Sequence, residues 1–320
     1  ISIGRYTMER LSLFLNHWLV ARTGEEVSTR STFTRFKSWF EESGREMVEV
    51  LPSMHRQADL FERWVEESRN TQGDLDQVAL FVYRTEAADV EAVKPLLLRL
   101  FDVDAPLPKD VASQALRDVE SWVMRRALLR RPASEYSRVV AGLIDDLRGV
   151  APAEVATTLR GSLLRLNRPG TYWPGTPELT RELATAPVYT QPKARVRAYL
   201  EAVEDGLRGY AVGRPKSDSR VRRGNLTVEH LLPQRWKHAW PVEGLSEEIE
   251  RDAHVHRLGN LTLLTQSLNS TVSNGPWDGA KGKRAALKDS DTLLLTRWPR
   301  EQDEWDEARI DARSEALMAV

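Results

Sequence analysis

The chain has 320 residues, of which 41% are hydrophobic and 29% charged, enough apolar material for one sizeable core or two domains and too much, with ten Trp, for a disordered chain. A formal net charge of −1 excludes a uniformly basic nucleic-acid coat but leaves room for a local basic face. There is no cysteine, which removes disulfides, thiolate-zinc sites, iron–sulfur clusters and thiol catalysis together and is compatible with a reducing cytoplasm.

The chain opens Ile1-Ser2-Ile3-Gly4 without an initiating Met or a signal peptide, and it reads as a piece of a longer protein. Leu11 to Ala21 is apolar but is broken by Asn16 and His17 and is too short to span a bilayer. Up to about Tyr210 the pattern is helical. Leu11, Phe14, Leu15, Trp18 and Leu19 form one amphipathic stripe; Val111, Ala115, Val119, Trp122 and Val123 form a second; Val139, Val140, Leu143, Ile144 and Leu147 form a third. Thr176-Pro177-Glu178 and Pro192 mark helix starts, and Gly44, Gly73, Gly149 and Gly170 mark breaks. The aromatics of these helices read as core, and His17 and His55 as ordinary satisfied histidines.

The character changes after Gly206. Gly209 to Gly224 reads as a linker or exposed loop. From Arg214 to Trp240 the cations Arg214, Lys216, Arg220, Arg222, Arg223, Arg235 and Lys237 face only Asp218 and Glu229. A second basic group follows at Lys281, Lys283, Arg284 and Lys288. These groups fit either a phosphate-bearing partner or a solvated loop. Two β-prone runs come next, Leu226 to Leu232, ending at Pro233, and Asn260 to Thr265; a polar segment, Ser267 to Asn274, leads to a helical pattern over Ala280 to Leu287. Trp236, Trp240 and Trp277 pack this region or stack on bases, and His238 and His254 read as exposed.

The chemistry-bearing set is Glu229, His230, Asn260 and Asn269. Neighbours on a strand point to opposite faces, so Glu229 and His230 share one site only at a strand end, which Pro233 supplies. A neutral imidazole that takes a proton from water, with oxygen donors for a hard cation, suits metal-assisted phosphodiester hydrolysis.

The spacing Val228-Glu229-His230-Leu231-Leu232-Pro233-Gln234, then His256-Arg257-Leu258-Gly259-Asn260-Leu261-Thr262-Leu263-Leu264, then Asn269, resembles the HNH (ββα-metal) nucleases, most of all the C-terminal domain of the GmrSD-type modification-dependent restriction enzymes. The likeness covers roughly 220 to 317, with Trp305, Ile310, Arg313 and Leu317 at helical spacing behind it. It implies a mainly α chain: an all-helical scaffold or regulatory domain over 1–210, then a small ββα-metal nuclease module with a trailing helix over 211–320. It implies a metal-dependent DNA endonuclease of restriction or anti-phage defence. His230 would be the general base, Asn260 the residue that pins the loop and orients that base, and Glu229 and Asn269 the ligands of Mg²⁺ or Mn²⁺. Lys281, Arg235, Lys283 and His256 are the candidate contacts to double-stranded DNA; for His256 phosphate contact and structural hydrogen bonding stand equally. Similarity to SspE-like phosphorothioate-linked proteins implies an NTP-hydrolysing sensor domain of the same protein ahead of this chain; the absence of cysteine and of a spanning segment fits a cytoplasmic location without membrane contact. The other class of reading is a non-cleaving DNA-binding or protein-interaction module on a nuclease-like fold.

Overall fold

The computed structural model describes residues 2, 3, 6, 7, 10–210, 219–266, 268, 274–279, 282–290 and 293–320. These divide into two compact units, one of 1–68 with 75–174 and the other of 69–74 with 175–320. The second unit therefore begins at Gly175, some way before the boundary at 210 that the composition suggests. The segment 175–210 was expected to be scaffold, yet it packs with the strands that follow it.

The N-terminal unit is helical apart from a short pairing of β1 (Ser2–Ile3) with β2 (Tyr6–Thr7), which the sequence pattern does not announce. Helix α1 (Arg10–Thr23) buries Phe14, Trp18 and Leu19 as its stripe requires, and Asn16 and His17 are buried with them. It ends at Gly24, whose φ of +63° places it in the left-handed region and whose N–H closes on the Val20 carbonyl at 2.9 Å. A Cβ there would press on the Asp145 backbone, so the position requires glycine twice over. Around α1 lie α2 (Thr32–Ser43), α3 (Met47–Ser68), α4 (Gln77–Ala87), α5 (Lys94–Leu100), α6 (Lys109–Leu128), α7 (Tyr136–Asp145) and α8 (Val155–Arg165). The Asp76 carboxylate caps α4 by accepting the Ala79 N–H at 2.7 Å. On α6 the predicted stripe is interior at Ala115, Val119, Trp122 and Val123, and the Trp122 indole donates to the Thr171 carbonyl at 2.8 Å.

The C-terminal unit is built on one antiparallel pair. Strand β3 (Leu226–His230) runs against β4 (Leu261–Thr265) in the register Leu226↔Thr265 to His230↔Leu261. Leu261 to Leu264 are all buried, and α10 (Lys193–Asp205) packs on both strands. Helix α9 (Thr176–Leu183) carries Pro177 in its first turn, and Pro192 stands just before α10, as their sequence signals require. Helix α11 (Leu245–Val255) precedes β4; α12 (Lys283–Ser290), α13 (Arg297–Arg300) and α14 (Glu307–Met318) follow it. Trp240, Trp277, Trp298 and Trp305 form a chain of ring contacts in this core, with Trp236 buried in the same cluster, so these indoles pack the unit. The architecture is thus mainly helical with a small two-stranded sheet. No helix among the described residues is long and apolar enough to cross a membrane.

Two expectations change here. The end of the presumed linker is built into the unit: Arg220 donates to Asp205 at 3.0 Å, and Arg223, buried, pairs with the same carboxylate. Arg208 donates to Glu204 at 2.6 Å, while Glu204 also accepts the N–H groups of Leu294 and Leu295. Buried carboxylates on α10 need counter-charges, so these arginines serve the interior and not a nucleic-acid face. His254 is likewise buried, with Nδ1 at 2.6 Å from the Glu250 carbonyl oxygen and Nε2 at 3.3 Å from Asp311.

Candidate active site

The end of β3 carries the two residues singled out by the motif, and they reach different neighbours. Glu229 Oε1 receives the Lys283 ammonium at 3.2 Å; the same ammonium donates to the His230 carbonyl at 2.6 Å. Lys283 is only 1% exposed, so it is an internal cation and no DNA contact, contrary to expectation. Burial pushes the Glu229 carboxyl up, and Lys283 opposes that shift; burial pulls the Lys283 ammonium down.

The His230 imidazole, 3% exposed, turns toward the segment before α10 and the end of α11. Its Nε2 lies 3.3 Å from His256 Nδ1, and its Nδ1 lies 3.5 Å from the Gln234 amide nitrogen. Tyr189, in a 3₁₀ turn over Val188–Thr190, sets its ring edge-on to His230 at 4.0 Å and stacks on His256 at 5.4 Å with 9° between planes. The Tyr189 N–H donates to the His256 carbonyl, and its hydroxyl accepts from Gln234. The Lys193 ammonium sits over the Tyr189 ring. Burial, then the positive charges of His256, Lys283 and Lys193, hold the His230 pKa at about 3. His256 is lowered by burial and by Lys193. Both rings are therefore neutral at pH 7, and His256 keeps partial contact with solvent.

Asn260 is placed by Gly259. A Cβ on Gly259 would strike the Ile310 carbonyl and Ser314 of α14, so only glycine lets that helix lie on the turn. Arg313 locks the contact by donating to the Gly259, Leu261 and Leu295 carbonyls, and its full burial lowers its pKa to about 9. The Asn260 amide is saturated: Oδ1 accepts from Leu232 N at 2.7 Å and Trp305 Nε1 at 3.1 Å, while Nδ2 donates to the Leu232 and Val255 carbonyls at 2.8 Å each. Fully buried, it ties the bend after β3 to the end of α11 and touches no open space. Its side chain therefore has no donor or acceptor left for a reacting group.

Glu229 is a hard-oxygen donor of the kind a divalent cation takes, but one oxygen already faces Lys283. Among the described residues no group of three His, Cys, Asp or Glu could hold an ion. Asn269 and Lys281, expected as second ligand and phosphate contact, lie outside the described residues. Arg235 is exposed beside Gln234, as a DNA contact requires. The motif reading missed Tyr189 and Lys193 because they stand some forty residues upstream of His230; Pro192, marking the helix start beside them, was their one local signal.

The C-terminal unit is mainly helical, with a two-stranded antiparallel sheet whose strands are joined through α11 and a histidine pair at the strand end. Residues 173–320 match the family model of the GmrSD restriction endonucleases, C-terminal domain. The match begins close to Gly175, where the second unit begins. The chemistry attached to the family is that of a nuclease acting on DNA. No curated protein matches the chain.

Proposed function

We propose that the C-terminal unit is a metal-dependent endonuclease that hydrolyses a phosphodiester of double-stranded DNA in restriction or anti-phage defence, with His230 as general base. The observation that carries this reading is the His230–His256 pair, a neutral buried imidazole 3.3 Å from a second imidazole that reaches solvent, inside the stretch that matches the restriction-endonuclease family model. A neutral imidazole keeps one lone pair that accepts a water proton once its long contact to Gln234 or His256 gives way, and His256 gives that proton a way out. The substrate phosphate brings negative charge toward the ring, which raises its proton affinity when the base must act. Gln234 and Tyr189 fix the ring plane, and Asn260 fixes the bend that carries it. A divalent cation, Mg²⁺ or Mn²⁺, with Glu229 and Asn269 as its ligands, supplies positive charge at the scissile phosphate when bound.

The test is supercoiled plasmid incubated with the chain and Mg²⁺ or Mn²⁺, with and without EDTA. Relaxation or linearisation that EDTA abolishes is the expected result; an intact plasmid under every cation condition overturns the reading. One observation favours a non-cleaving DNA-binding module instead, the pairing of Glu229 with Lys283. That reading predicts retarded DNA without cleavage in the same mixtures.

A further inference from the structure

The rim around His230 holds two hydrogen-bond donors, the Lys193 ammonium and the Tyr189 hydroxyl, that meet no carboxylate among the described residues. Lys193 is exposed, and among the described residues no carboxylate lies within ion-pair distance of it; its ammonium contacts only the Tyr189 ring and, at 3.3 Å, the Tyr189 carbonyl. The Tyr189 hydroxyl accepts from Gln234 at 3.3 Å, and its own hydrogen has no acceptor among the described residues. Two other cations of this region are engaged, Lys283 on Glu229 and Lys237 on Glu248 at 2.6 Å, while Arg235 stays exposed. Tyr189 is held in place by its ring contacts with both imidazoles and follows Val188, which is wholly buried. A fixed aromatic carrying on its face an ammonium with no carboxylate partner among the described residues, and an O–H at its edge, presents positive charge and donors to one small anion.

We propose that Lys193 and the Tyr189 hydroxyl form a phosphate subsite on the rim above His230, which seats the DNA backbone at the histidine pair. The subsite rests on the nuclease reading of this unit and adds to it two residues that lie upstream of the motif. Lys193 supplies charge, Tyr189 supplies the platform that aims it, and the bound phosphate replaces the carboxylate that Lys193 lacks.

The test compares the full chain with Lys193→Ala, Lys193→Arg and Tyr189→Phe. Binding of a short fluorescent duplex is titrated in EDTA across a range of NaCl, and plasmid cleavage is followed with cation present. Lys193→Ala is expected to weaken duplex binding about tenfold at moderate salt and to reduce the slope of log K against log salt by about one, the loss of one phosphate contact. Lys193→Arg keeps the slope, and Tyr189→Phe weakens binding several-fold without changing it, because it removes a donor and no charge. Unaltered melting temperatures separate these effects from a packing defect. If the parent binds and cuts DNA while Lys193→Ala matches it in affinity and slope, the subsite is overturned and the nuclease reading stands. If the parent binds duplex but cleaves nothing, the nuclease reading falls while a changed slope in Lys193→Ala still supports the phosphate contact. If the parent neither binds nor cuts, both fall.

Discussion

His17 in the N-terminal unit and His230 in the C-terminal unit are both almost wholly removed from solvent, and burial holds the pKa of each at about 3. Their surroundings differ in what they offer a proton. His17 Nδ1 has no hydrogen-bond partner and stands 4.0 Å from Glu91 Oε1, itself without one. Lys94 occupies the other Glu91 oxygen at 2.9 Å and adds to the lowering at His17. The cavity of about 580 Å³ beside it is lined by Asn16, Ser28, Thr29 and Ser137, with the carboxylates Glu26 and Glu91 but no second imidazole. His230 by contrast faces another imidazole at hydrogen-bond distance, and that imidazole reaches solvent. Desolvation alone makes an imidazole neutral; a route for the proton makes it a candidate base.

The largest expected effect tests that difference directly. His230→Ala is expected to lower plasmid cleavage by roughly 10²–10⁴-fold, the range for loss of a general base, while His17→Gln leaves cleavage at the parent rate. Single-turnover cleavage under saturating protein reads both. Equal loss in the two variants would mean that burial, not the histidine pair, sets their importance.

The next effect concerns what holds His230 where it is. Asn260→Ala leaves the Leu232 N–H and carbonyl, the Val255 carbonyl and the Trp305 indole N–H without their partner. Several buried groups orphaned at once cost about 3–5 kcal/mol, measurable by urea unfolding of the full chain. Cleavage is expected to fall with the folded fraction. A variant of unchanged stability that no longer cuts would return Asn260 to the reacting centre.

The strands were legible because β3 and β4 are apolar runs ended by Pro233 and opened after Gly259, and the histidine was legible because Glu229-His230 interrupts the first of them. The partition of the cations was not. Arg223 and Asp205 are eighteen residues apart and Lys283 and Glu229 fifty-four, so nothing local distinguishes these internal counter-ions from Arg235, which stays exposed. Charge density along a chain reports how many cations there are, whereas the acidic residues buried by the fold decide which remain free. The same limit hid Tyr189: its ring meets His230 only through the packing of the segment before α10, in a region whose periodicity reads as scaffold. His254 was misread for a related cause, since helix α11 turns that side chain toward Asp311 of α14.

The smallest effect separates the two histidines by acid. Below pH 6.5 the unfolded chain protonates both imidazoles, while the folded chain, with each pKa near 3, leaves them neutral. The unfolded state then binds more protons, so stability falls as pH drops from about 6.5 toward 3, with a slope of about 1.4 kcal/mol per pH unit for each histidine. His17→Gln and His230→Gln are each expected to remove one proton's share of that slope, read from urea unfolding at pH 5 and pH 6, and the double variant to remove both. The two shares become unequal when DNA is present: a phosphate at the rim stabilises protonated His230 and leaves His17 untouched, so saturating duplex in EDTA reduces the acid sensitivity of the His17→Gln chain and not that of His230→Gln. Equal responses to duplex would mean that the anion does not sit near His230, and the contrast between the two buried imidazoles would reduce to their addresses in the fold.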